Sequence, residues 1–93
     1  MSNFTVKFAA YGALKGGNEN QTQAINVASQ LQKALDKNDG IVKISNETLG
    51  SDPSSGTTKH FGALVNVNGV DQFFACQEGQ TIDFYHRIPV TSK

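Results

Sequence analysis

Tryptophan, paired cysteines, a long apolar run and a surplus of either charge are all missing from these 93 residues, and each gap removes a class of explanation. One cysteine cannot build an intramolecular disulfide framework. No run approaches the roughly 20 apolar residues needed to span a bilayer as a helix. The first seventeen residues, MSNFTVKFAAYGALKGG, have one lysine and a brief alternation where a signal peptide has a basic start and an unbroken apolar stretch. A cytoplasmic chain is therefore expected. Eight basic and eight acidic residues cancel, and no two Lys or Arg are adjacent, so the basic footprint that neutralises several phosphates is lacking. Nucleic acid is not an expected partner. The three Asn-x-Ser/Thr triplets, at Asn3, Asn20 and Asn46, would stay unmodified without a secretory route.

What is present describes one domain, residues 1–93, large enough to fold around one core without metal or disulfide. Phe4, Val6, Phe8 and Ala10 alternate with Thr5, Lys7 and Ala9, the period of a half-buried strand. Ala24, Ala28, Leu31 and Leu35 fall at helical spacing, while Ser29 and Gln32 have the spacing of a Ser-x-x-Gln capping box. Two readings of this segment compete: a single helix from about Thr22, or a short strand at Ile25–Val27 followed by a helix over Ser29–Lys37. The capping box favours the second. Gly40 then tolerates the positive φ of a helix end, and IVKIS resumes strand character.

The strongest local signal is HFGALVNVNGVDQFFACQ, two alternating runs joined by Asn68-Gly69, a pair suited to a type I′ hairpin turn. With those two residues in the turn, Val67 pairs with Val70, Leu64 with Phe73, Ala63 with Phe74 and Phe61 with Cys76. Phe61, Ala63, Val65, Val67, Val70, Phe74 and Cys76 then share one apolar face, expected to be buried. TIDFYHR reads as a last strand ended by Pro89, with Asp83, Tyr85 and Arg87 on one face as an edge kept polar. The expected fold is mainly β, an antiparallel β-sandwich with one short α-helix; the alternative is an α+β arrangement with one longer helix on the sheet.

Several of these segments together are similar to a known family. Tyr11-Gly12 near the end of the first strand, Asp52-Pro53 with Gly56 and Lys59 in a turn, and the late Glu78-Gly79 turn resemble the small domain that ends the DnaJ-like subfamily C member 11 proteins and stands alone in bacterial and fungal proteins. The chain departs from that pattern at Asn26 and Ala28, where the family has Asp and Thr, and at Ser51, where it has Gly. The resemblance implies an antiparallel β domain with one helix, brings no catalytic residue, and suggests an assembly role.

No residue pattern assembles a catalytic, metal or cofactor site. Cys76 and His60 would need hydrogen-bonding reach to act as nucleophile and base, but the hairpin register sends them to opposite faces. Asp36 to Gly40 is one residue short of a calcium-loop start and lacks the later Glu. Two histidines and one cysteine cannot close a zinc site without carboxylates gathered by the fold. The segment KGGNENQTQ lacks the order of a phosphate loop.

The remaining candidate is the polar tract NETLGSDPSSGTTKHF, residues 46–61. It is either a long turn set by Asp52-Pro53 and its glycines, or a binding loop on a rigid β scaffold. Asn46, Glu47, Asp52, Ser54, Ser55 and Thr57 are the candidate ligand-binding residues, suited by their short polar groups to a neutral ligand such as a glycan. The expected function is a non-enzymatic, lectin-like binding module. The alternative is a protein-interaction or assembly module, a homo-oligomer included, that uses an exposed strand edge or the Leu64/Phe73 face.

Overall fold

The computed structural model describes residues 3–18, 20–85 and 88–90. The chain runs β1 (Phe4–Leu14), β2 (Thr22–Asn26), α1 (Ala28–Asn38), β3 (Ile41–Lys43), α2 (Asn46–Leu49), β4 (His60–Val67), β5 (Val70–Gln77), β6 (Thr81–Asp83) and β7 (Ile88–Val90), with a 3₁₀ turn at Lys15–Gly17. Two antiparallel sheets form, in the orders β2-β1-β4-β5 and β3-β6-β7. This is the mainly β architecture with one main helix that the alternating runs predict. Leu31, Ala34 and Leu35 of α1 join Tyr11, Phe61, Val65 and Phe74 of the larger sheet and Val42 and Ile82 of the smaller one in one buried core.

The two sheets meet through Phe84, which follows β6. Its ring lies 4.5 Å from that of Phe74 and 6.5 Å, edge-on, from that of Phe61. Offset and edge-to-face geometries of this kind add to the area that aromatic rings bury. The hairpin has the expected register throughout, with Asn68 at φ 52° and Gly69 at φ 92° in the turn. Its inner face buries Phe61, Ala63, Val65, Val67 and Phe74. Two members of the predicted apolar face depart from this. Val70 is 59% exposed and Cys76 only half-buried, because β5 is the outermost strand and its ends run past the cover of the core.

The first strand corrects the sequence reading more sharply. Val6 pairs with Val65, yet Phe8 pairs with Leu64, so β1 carries one extra residue at Lys7. A bulge of this kind reverses the facing of every residue beyond it. Phe4 stays inside, but beyond Lys7 the buried residues are Ala9 and Tyr11, while Phe8 is 51% exposed and Ala10 lies outside. Simple alternation from Phe4 to Ala10 therefore fails after Val6.

The second reading of residues 22–38, strand then helix, matches the structure, but its stated cause does not. Val27 occupies the N-cap of α1 without a side-chain bond, and the Asn26 side chain accepts the Ala28 N–H at 2.9 Å. Ser29 lies inside the first turn and is exposed, so no capping box forms. Gln32 instead faces the bulge: its Oε1 accepts the Val6 N–H at 2.8 Å and its Nε2 donates to the Phe4 carbonyl at 3.0 Å. The end of α1 is also shared, since both Asp39 and Gly40 take positive φ.

The last strand is corrected too. Strand β6 ends at Asp83, whose carboxylate accepts the Tyr85 N–H at 3.0 Å in a local turn. Asp83 and Tyr85 thus do not alternate along one strand, and Arg87 lies outside the described residues. Pro89 does not end a strand; it sits within β7 opposite Ile82. Strand β7 is the outer strand of its sheet, where a residue without an N–H is tolerated.

The bulge contact separates the two accounts of Gln32. Gln32→Leu should leave the Val6 amide without its partner and lower unfolding free energy by about 1–3 kcal/mol. Ser29→Ala should stay within about 0.5 kcal/mol. Chemical denaturation of both variants measures the difference.

Candidate functional site

The polar tract is built around one buried cation. Lys59 is 3% exposed, and its ammonium group lies 2.8 Å from Asp52 Oδ1 and 3.5 Å from Glu78 Oε1. It also donates to the carbonyls of Ser54 at 3.0 Å and Thr57 at 2.8 Å. A buried ammonium needs such partners, since each unmet donor costs desolvation energy. The loop is consequently wound around the Lys59 side chain. Its hydrogen bond to Lys59 and a second from the Ser54 N–H hold the Asp52 carboxyl below the usual carboxylate range, against partial desolvation. The Lys59 ammonium is stabilised in turn by Asp52, then by Glu78, against desolvation.

The tract opens with structure that the sequence reading took for loop. Residues 46–49 form α2, with Ser45 at the N-cap accepting the Thr48 N–H and Gly50 closing the end at φ 76°. Asn46 Oδ1 accepts the Tyr11 hydroxyl proton at 2.6 Å. Tyr11 is fully buried, and burial, with the carboxylates of Glu78, Asp52 and Glu47 in support, pushes its hydroxyl up to about 12.

The six candidate residues therefore divide. Asn46 is engaged by Tyr11, Asp52 by Lys59, and Ser54, 2% exposed, donates its hydroxyl to Gln23 Oε1 at 2.6 Å. Glu47 and Ser55 are exposed and Thr57 half-buried. A polar depression of about 320 Å³ is lined by Asn46, Gly56, Thr57, Thr58, Lys59 and Glu78. It brings Asn46 and Thr57 together and leaves Glu47, Asp52, Ser54 and Ser55 outside its lining.

The second surface is the outer face of the larger sheet, which the bulge at Lys7 creates. Phe8 pairs with Leu64 and Leu64 with Phe73, so the three side chains form one row across β1, β4 and β5. Phe73 is 73% exposed and Phe8 51%, while Leu64 between them is half-buried. Beside this ridge lies a hollow of about 420 Å³, where Ala10, Gly12, Ala24 and Gly62 offer little side chain. Gly12 cannot be larger: a Cβ there would overlap the Gln23 carbonyl oxygen and Ala24 across the β1–β2 pair. The sequence points to the Leu64/Phe73 pair but groups Phe8 with Phe4 and Val6 on one side of a half-buried strand, because the alternation in β1 carries no mark of the extra residue.

His60 lies opposite Gln77 and Cys76 opposite Phe61, so the thiol and the imidazole leave opposite faces of the hairpin. Burial pushes the Cys76 thiol up to about 11, so it stays protonated near neutrality. No helix among the described residues is long and apolar enough to cross a membrane. No known protein family, curated protein or solved structure matches this chain.

The Lys59–Asp52 contact carries a signed pH dependence. The Asp52 carboxyl is lowered in the folded state, so its contribution is complete above the unfolded value of about 3.9 and fades as pH falls through the lowered folded value. Asp52→Asn should therefore melt below the parent at neutral pH, with the gap narrowing as the pH drops below about 3.9. Thermal melts across that acidic range measure it.

Proposed function

We propose that this chain is a non-enzymatic interaction module whose recognition surface is the outer face of the larger sheet. The observation that carries this reading is the Phe8–Leu64–Phe73 row, with Phe73 at 73% exposure in the middle of the outermost strand. Large aromatic side chains clustered in water are characteristic of protein-binding surfaces. Folding alone gives no reason for them here, since the core is completed by the opposite face of the same strands. The resemblance to a domain carried by J-proteins supports the same direction. The lone, protonated Cys76 supports a reducing, cytoplasmic setting.

A second reading, recognition of a neutral polar ligand such as a glycan, is supported by the depression that joins Asn46 and Thr57. It has fewer free groups than the sequence offered, because Asn46, Asp52 and Ser54 already have partners within the fold. If it holds, the purified chain binds members of a glycan array, and Thr57→Ala weakens that binding at an unchanged melting temperature. An array without binding removes it.

The interaction reading is tested by a photo-crosslinking amino acid placed at Phe73 in cells, with exposed Lys37 on α1 as the control position. Crosslinks to a polypeptide, this chain's own copy included, are expected at position 73 and not at position 37. Equal labelling at both, or none at either, would remove the proposal.

A further inference from the structure

We infer that the partner of this surface is a second copy of the same chain, joined edge to edge through β5 about a two-fold axis at Phe73. The inference rests on the interaction reading above and names its partner.

The backbone supplies the first argument. In an antiparallel ladder, alternate residues turn both of their hydrogen-bonding groups toward the neighbouring strand. The Glu78 N–H donates to the Lys59 carbonyl at 2.8 Å, which fixes the even-numbered residues of β5 as those bonded to β4. Asp71, Phe73, Ala75 and Gln77 therefore present their N–H and C=O groups to the free edge. Gln77 is closed there: its N–H donates to Gln80 Oε1 at 2.8 Å, and its carbonyl accepts the Gln80 N–H at 3.2 Å. The open positions are Asp71, Phe73 and Ala75, and no strand among the described residues lies beyond them.

That set is symmetric about Phe73. A second β5, running antiparallel, places Asp71 opposite the partner's Ala75, Phe73 opposite the partner's Phe73, and Ala75 opposite the partner's Asp71. Three rungs of two bonds each give about six backbone hydrogen bonds, and the two sheets become one of eight strands. On the outer face the apolar row then runs unbroken across both copies, with the two Phe73 rings adjacent at its centre.

Charge and edge composition argue for a copy of this chain. The strand VDQFFACQ contains no Lys, no Pro and no bulge, the usual protections of a free edge. Its one charge, Asp71, is already paired with Lys7 at 2.9 Å and would face an alanine, so no like charges oppose one another. The chain as a whole carries no net charge, so two copies do not repel at long range. On the inner face, exposed Val70 comes to lie opposite the partner's Cys76.

The test is the mass of the purified chain across a range of concentrations, by size exclusion with light scattering. The parent should approach twice its 10.0 kDa with rising concentration. Ala75→Pro should stay a monomer with its fold retained, because it removes an N–H aimed at the partner and unused by its own sheet. Independently, Asp71→Cys with Ala75→Cys, in a Cys76→Ala background, should give a covalent dimer on oxidation. Facing residues on a bonded rung have Cα atoms about 5.5 Å apart, within disulfide range, whereas the same positions on one strand are about 13 Å apart. A parent that stays monomeric and gives no covalent dimer, or a dimer indifferent to Ala75→Pro, overturns the self-pairing. If position 73 then still crosslinks to another polypeptide, the interaction reading stands without it; if it does not, both fall.

Discussion

The extra residue at Lys7 of β1, just after the backbone that Gln32 holds, decides which side chains are interior and which are surface. Asn3 accepts the Asn68 N–H, so by alternation the Phe4 carbonyl and the Val6 N–H turn to the opposite edge of β1, which β2 does not reach, and part-buried groups of that kind need partners. Gln32 supplies both, accepting from Val6 and donating to Phe4 from a half-buried position on α1. The helix is thereby tied to the point where β1 changes its facing. Ala9 and Tyr11 turn toward α1, and Lys7 and Phe8 turn away from it. The inner core and the outer apolar row are two results of the same extra residue.

Around that frame the polar groups are spent largely within the fold. Tyr11 completes its buried hydroxyl on Asn46, Ser54 on Gln23, and Lys59 gathers Asp52, Glu78 and two carbonyls. A loop rich in Ser, Thr, Asn and Asp can look like a ligand site while serving as the lining that lets one lysine be buried. The Lys59 side chain acts as an internal post, and the tract gains rigidity at the expense of free donors. A ligand-binding role for the tract would draw on what remains, chiefly Thr57, Glu47 and Ser55.

The outer face has the opposite character. Its hydrophobic ridge has no cover among the described residues, and its outermost strand keeps three unpaired backbone positions. Natural sheets usually protect such an edge with charge, proline or a bulge. Here Gln80 closes one end, through Gln77, and leaves the stretch centred on Phe73 open. Selective closure of an edge is compatible with a defined partner and incompatible with indefinite strand addition, because the open segment is short and symmetric.

Local sequence was enough to establish the hairpin, since Asn68-Gly69 fixes the turn and the turn fixes the register for the whole of β4 and β5. It was enough to separate His60 from Cys76, because alternation along a paired strand leaves no choice; the strand before α1 rested on a Ser29–Gln32 capping box that does not form. It could not reveal the bulge: Phe4, Val6, Phe8 and Ala10 alternate perfectly, and only the pairing of β1 with β4 shows that Lys7 is extra. It could not reveal that Asn46, Asp52 and Ser54 are occupied, because their partners Tyr11, Lys59 and Gln23 lie 35, 7 and 31 positions away in the chain. Nor could it show that Val70 is uncovered, since that depends on β5 being the outermost strand. Periodicity and turn chemistry are local and can be read along the chain; facing after a bulge, satisfaction of a buried charge and exposure of an edge depend on which distant segments meet, and those were decided only by the tertiary structure.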